Sequence, residues 1–206
     1  MAPLDDPAAP EGFDPAIQIV EHDPRWADLA RSELARIRQT LGALAVRVEH
    51  VGSTAVPDLA AKPIIDLQLS VNELRPEDAY VTPLANLGYL FVPDPLWPDY
   101  HFFALPHGRP RTHHLHVCQA GSNHESRHLV VRDYLRTHHR EAQQYEDLKR
   151  DVAERHAGDR LAYIAGKDQY LSALELRALE WAGTRALPED LLQVRLATVA
   201  DAEAIE

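Results

Sequence analysis

Three stretches of this chain carry residues suited to chemistry on a phosphorylated compound: Gly52-Ser53-Thr54, Lys62 with Asp66, and His114-Leu115-His116. A glycine–serine turn offers backbone N–H groups to phosphate oxygens. A nearby carboxylate can hold a divalent cation, which neutralises charge while an oxygen nucleophile attacks phosphorus. Asp66 sits between Ile65 and Leu67, where a buried carboxylate needs a metal, a cationic partner or solvent in a cleft. His114 and His116 are two apart, share one face of a strand and could converge on one ion. One carboxylate with two imidazoles suits Zn²⁺, Mn²⁺ or Fe²⁺, whereas Mg²⁺ prefers anionic oxygen.

The elements that must position these groups follow from hydrophobic spacing. Residues 44–50 alternate, with Val46 and Val48 as the inward face of a strand that ends at His50. Residues 64–71 form a second strand, on which Asp66, Gln68 and Ser70 share one face. Upstream, Asp23 reads as the N-cap and Pro24 as the first residue of an amphipathic helix. Its apolar stripe is Trp26, Leu29, Ala30, Leu34, Ile37 and Leu41, and Gly42 closes it.

Downstream, residues 76–87 read as a helix, 89–92 as a strand, 93–98 as a loop, and 100–105 with 113–118 as a hairpin around Gly108. From about Ser126 the pattern is helical, carried by Leu129, Val130, Tyr134, Leu135, Tyr145, Leu148 and Val152, then Tyr163, Tyr170, Leu174 and Leu176. The aromatic residues of these helices read as core. The expected class is α/β (α+β): a mixed β-sheet flanked by helices, with a helical C-terminal third. Residues 16–183 form the domain, 1–15 a disordered proline-rich and acidic tail, and 184–206 a linker with the possible start of a truncated second domain.

Lys and Arg total 21 against 32 Asp and Glu, a formal charge of −11, which disfavours nucleic acid as a partner because backbone phosphates demand a broad basic footprint. Residues 108–140 reverse the balance: Arg109, Arg111, Arg127, Arg132, Arg136 and Arg140 face only Glu125 and Asp133. An anionic small molecule fits there. No apolar run approaches the ~20 residues needed to span a bilayer. The chain opens without a secretory signal, and Cys118 alone cannot form an internal disulfide. The expectation is a cytoplasmic protein with no membrane partner.

The segment from His50 through Gly52-Ser53-Thr54-Ala55-Val56-Pro57, followed by Ala60-Ala61-Lys62-Pro63-Ile64-Ile65-Asp66, resembles the signature of GrpB proteins, a branch of the polymerase-β-like nucleotidyltransferases. Glu21 to Trp26, His114 to Val117, Arg132 to Leu135, and Lys149, Tyr163 and Lys167 are similar to residues that GrpB proteins carry. The resemblance implies a nucleotidyltransferase-like sheet, Gly52 and Ser53 as the phosphate loop, and Asp66 as the first carboxylate for a divalent metal, Mg²⁺. Beside what the resemblance implies, catalytic roles are expected for Asp66, Gln68 and His116, and metal ligation by Asp66, His114 and His116. Contacts to a nucleotide or other phosphorylated small molecule would come from His50, Gly52, Ser53, Thr54, Lys62, Arg111, Arg132, Lys149 and Lys167. The chain departs from the superfamily pattern at Gln68, where a second carboxylate would fall, and at His114-Leu115-His116, where a third would. Residues 194–206 resemble the opening of a GNAT-type acyltransferase domain, which implies a C-terminal fusion partner.

Three functions stay open at this level: a metal-assisted nucleotidyltransferase, a nucleotide-binding module that has lost catalysis through Gln68, and a transition-metal site on the same scaffold. Plainer readings stand beside them. In these Gly52 serves only as a turn glycine, Lys62, Arg109, Arg111 and Arg132 as solvated cations, His114 and His116 as structural side chains, and Cys118 as a small strand hydrophobe.

Overall fold

The computed structural model describes residues 17–93, 100–105 and 110–183. The tail of residues 1–15, the segment 184–206 with its acyltransferase-like end, the tip of the hairpin at Gly108, and Arg109 lie outside the described residues. The elements run α1 (Arg25–Leu41), β1 (Arg47–Val51), β2 (Ile65–Val71), α2 (Asp78–Asn86), β3 (Leu90–Val92), β4 (Tyr100–Leu105), β5 (His113–Gln119), α3 (Asn123–Thr137), α4 (His139–Arg155) and α5 (Arg160–Trp181). No helix among the described residues is long and apolar enough to cross a membrane.

The five strands form one mixed sheet in the order β1-β2-β5-β4-β3. The β2–β5 pair is parallel and the other pairs are antiparallel. Alternation along the strands separates two faces. Val48, Ile65, Leu67, Leu69, Leu115, Val117 and Phe103 pack with Trp26, Ala30, Ile37 and Leu41 of α1 and with Tyr80 and Leu84 of α2. The opposite face carries Asp66, Gln68 and Ser70 beside His114, His116 and Cys118. Helices α3 and α5 join α4 in a second core with the loop residues Val56 and Leu59, through Tyr134, Leu135, Tyr145, Leu174 and Ala178.

Local chemistry explains the ends of several helices. Asp23 accepts the Arg25 N–H at 2.9 Å, and Pro24 already has helical dihedrals, as the sequence predicts. Helix α3 starts earlier than its apolar pattern does: Ser122 accepts the Glu125 N–H at 3.2 Å, while the Glu125 carboxylate accepts the Gly121 N–H at 2.7 Å. This is a reciprocal cap that needs no apolar residue. Asp159 caps α5 by accepting from Leu161 and Ala162.

Three predicted apolar positions are corrected. Leu29 is 51% exposed, because the buried stripe of α1 runs through Trp26, Ala30, Glu33, Ile37 and Leu41. Glu33 can occupy that stripe because Arg36 reaches its carboxylate at 2.6 Å. Val46 precedes the first paired residue of β1 and is 47% exposed, while Val48 points inward as expected. Leu176 lies on the outer side of α5, 49% exposed.

Candidate functional site

Antiparallel pairing sets Val51 at the end of β1 opposite Asp66 of β2, so the next residue, Gly52, turns back across the Asp66 side chain. Gly52 adopts φ +70°, and a Cβ at that position would lie 2.5 Å from Asp66 Oδ2. Glycine is therefore required here for both backbone and space, which a turn glycine alone would not need. Ser53–Ala55 form a single 3₁₀ turn. Inside it, Thr54 is buried and its hydroxyl meets His50 Nε2 at 2.9 Å. Burial pushes the His50 imidazole down to about 4. His50 and Thr54 thus brace the loop through each other.

The parallel register places His114 beside Asp66 and His116 beside Gln68. His114 Nδ1 lies 3.1 Å and His116 Nε2 3.6 Å from the same oxygen, Asp66 Oδ1. Burial by itself would raise the Asp66 pKa, but hydrogen bonds from the two histidines outweigh it and hold the carboxyl well below its ordinary value. Burial lowers His114, against the pull of Asp66. The far nitrogen of His116, Nδ1, is 2.6 Å from the Tyr100 hydroxyl. One carboxylate oxygen is thereby held by imidazoles, and the other is directed at the Gly52 loop.

Gln68 is buried and engaged at both ends of its amide. Its Nε2 donates to the Glu125 carbonyl at 3.3 Å, and its Oε1 lies 2.9 Å from His128 Nδ1.

On the other side of the loop three lysines converge from three elements. Lys62 precedes β2, Lys149 comes from α4 and Lys167 from α5. The ammonium groups of Lys167 and Lys62 lie 4.0 Å and 4.6 Å from the centre of the Tyr163 ring, and that of Lys149 lies 4.7 Å from the Tyr145 ring. Lys149 also donates to the Ala60 carbonyl. None of the three lysines forms an ion pair among the described residues. Burial is the main cause that pushes Lys149 down to about 7 and Lys62 and Lys167 down to about 8, while the negative charge of Asp66 opposes the shift at each. Close approach of α4 and α5 makes the convergence possible: a Cβ on Gly166 would meet Val152 Cγ1 at 2.7 Å.

Of the predicted arginines, Arg132 is tied into the fold and Arg111 neighbours His114. Arg132 spends its fork on the Glu49 carboxylate at 2.9 Å, the His50 carbonyl at 3.0 Å and the Asp133 carboxylate at 2.8 Å. It ties α3 to β1. Arg111 lies 5.8 Å from the Phe102 ring centre, and His114 feels its charge.

As a metal site, the expected triad of Asp66, His114 and His116 meets in space, but its members bond one another. Among the described residues no three His, Cys, Asp or Glu side chains are grouped to hold a metal ion. Asp66 alone, with one oxygen turned toward the loop, fits the mode in which Mg²⁺ takes one carboxylate and completes its shell with ligand phosphates and water.

Sequence reasoning assigned the helical tyrosines to the core, named Tyr163 only through the family resemblance, and passed over Tyr100 and His128. Tyr145 and Tyr163 are indeed buried, yet their ring faces support the lysines. A signal was present: Tyr145 precedes Lys149 and Tyr163 precedes Lys167 by four residues, the spacing that stacks side chains on one helix face.

A family model described as GrpB protein matches residues 16–177. The UPF0157 protein PA4798 of Pseudomonas aeruginosa is 39% identical over 169 residues, which are 81% of this chain and 69% of that protein. The dephospho-CoA kinase of Mycobacterium leprae is 33% identical over 194 residues, with 80% of this chain matched but only 47% of the kinase. Among solved structures, the conserved protein GrpB from Enterococcus faecalis superposes with a TM-score of 0.75 at 32% identity, covering 80% of this chain and 99% of that one.

Proposed function

The chain belongs to the GrpB family, and we propose that it is a nucleotidyltransferase. In this reading the phosphate chain of a nucleoside triphosphate lies between the Gly52–Ser53 loop and Lys62, Lys149 and Lys167, and the nucleotidyl group passes to a separate acceptor. The observation that carries it is the lysine cluster, held on two tyrosine rings beside Asp66 without a carboxylate in ion-pair contact. Cations drawn out of water without counter-charge are costly, and a polyphosphate supplies that charge. Asp66 is the residue to hold a divalent cation, which when bound neutralises phosphate charge around the attacked phosphorus. His114 and His116 keep Asp66 ionised and fix its rotamer, so that Oδ2 faces the loop. The name of the Mycobacterium leprae relative refers to a phosphorylated coenzyme, which accords with a phosphorylated ligand here.

Calorimetric titration of ATP with Mg²⁺ and again with chelator tests the reading. Binding should depend on Mg²⁺ and weaken by about tenfold or more in Asp66→Asn, the loss of one charge-assisted contact. Equal binding with chelator removes the metal from the proposal. No binding of ATP or of inorganic tripolyphosphate in either condition sinks the proposal as a whole.

One observation favours a second reading, a nucleotide-binding module without catalysis. Gln68 stands where the superfamily places a carboxylate, and both ends of its amide are engaged by Glu125 and His128, so it does not take up the metal itself. Such a module binds ATP and releases no product.

A further inference from the structure

Gln68 follows Asp66 by two residues on β2, so its side chain leaves the same sheet face about 6.6 Å farther along the strand. Its orientation is determined by its partners. The Glu125 carbonyl accepts only, so the amide nitrogen must face it, and the amide oxygen must then face His128 Nδ1 at 2.9 Å. An amide oxygen also accepts only, so His128 carries its proton on Nδ1, and in the neutral ring Nε2 holds the lone pair. Burial keeps His128 well below its ordinary value, Arg127 adds to this, and Asp66 opposes it. The His128 ring meets the His116 ring edge-on with centres 4.9 Å apart, and His116 in turn faces Asp66. No hydrogen-bond partner occupies His128 Nε2 among the described residues.

We infer that His128 is the general base that deprotonates a hydroxyl acceptor, and that Gln68 is the positioning residue that sets its tautomer. This rests on the nucleotidyltransferase reading and names the acceptor side of that site. An imidazole from α3 takes over work that a second carboxylate would otherwise share. In the step, the acceptor O–H gives its proton to His128 Nε2 while its oxygen bonds the α-phosphorus. The bond from that phosphorus to the β-phosphate bridging oxygen breaks, and pyrophosphate leaves with the electron pair toward Lys62, Lys149 and Lys167. The triphosphate adds negative charge to this face, which favours the imidazolium left behind.

Two measurements on the full chain test the assignment. Long-range ¹H–¹⁵N correlation of histidine-labelled protein at pH 7 should show His128, identified by its loss in His128→Gln, as the neutral Nδ1–H tautomer. Gln68→Leu, which removes the acceptor, should shift it toward Nε2–H. With Mg–ATP and glycerol as a surrogate hydroxyl acceptor, pyrophosphate release should fall about 100-fold or more in His128→Gln. It should fall in Gln68→Leu as well, while calorimetric ATP affinity stays within about threefold. An Nε2–H tautomer in the wild type, undiminished release in His128→Gln, or ATP bound by the wild type without any pyrophosphate released overturns the base role. Failure of the wild type to bind ATP overturns the nucleotide reading instead.

Discussion

Gly52 and Asp66 are locked together: the glycine crosses the aspartate so closely that a single added carbon would sit 2.5 Å from Oδ2. The Gly52 loop and the carboxylate are therefore one structural unit. Any ligand that Asp66 Oδ2 takes must share space with the Gly52 backbone.

Gly52→Ala should cost about 1–3 kcal/mol from the left-handed backbone alone and displace Asp66 as well. Gly121 is the control, with φ +79° and nothing within 4 Å of an added Cβ. Gly121→Ala should lower the urea midpoint through the backbone alone and leave ATP affinity intact, whereas Gly52→Ala should lose both. Equal effects at the two positions would deny the steric coupling.

Buried Lys149 makes a prediction about pH. Its folded pKa is lowered to about 7 and those of Lys62 and Lys167 to about 8, each from 10.5. Between those values the unfolded chain binds more protons, so stability must rise with pH from about 7 toward 9.5. Above that range Tyr80, Tyr89 and Tyr145, whose pKa values are raised in the fold, reverse the trend. Urea midpoints at pH 7, 8 and 9.5 measure the slope. Lys149→Met should flatten it and should not destabilise the unliganded protein, since a methionine there needs no counter-charge.

Acid should act through the histidines. His50 is lowered to about 4, and burial lowers His114 and His128 too. As pH falls from about 6.5 toward 4 the unfolded chain takes up protons that these rings refuse, and stability drops. His50→Gln should weaken that dependence in a pH series of thermal midpoints.

Gly166→Ala forces a methyl group against Val152, an overpacking worth about 1–3 kcal/mol, and pushes α5 with Lys167 away from Lys149. Val152→Ala should restore part of the stability in a double-mutant cycle. Tripolyphosphate affinity should fall in Gly166→Ala and return in the double variant.

Arg132→Lys separates a structural arginine from a ligand contact. Loss of the fork to Glu49, His50 and Asp133 should cost about 1–3 kcal/mol, with little change in ATP affinity. A tenfold loss of affinity at unchanged stability would place Arg132 on the ligand.

Much of this protein is written locally in its sequence. Strand alternation put Asp66 and Gln68 on one face and Leu67 and Leu69 on the other, and Asp23-Pro24 began α1, because side-chain direction and capping depend on neighbours a few residues away. The family resemblance marked the loop, the carboxylate and the lysines. The period of the pattern could not place Leu29, Val46 or Leu176, since exposure at the edge of an apolar stripe depends on what packs there. Only the tertiary structure decided the rest. Pairing of β2 with β5 joins Asp66 to His114 across 48 residues, and the packing of α4 on α5 gathers Lys149 and Lys167 with Lys62. The two bonds that engage Gln68, expected as a catalytic residue, with Glu125 and His128 span 57 and 60 residues. Contacts of that range form only when the sheet closes, so no window of sequence contains them.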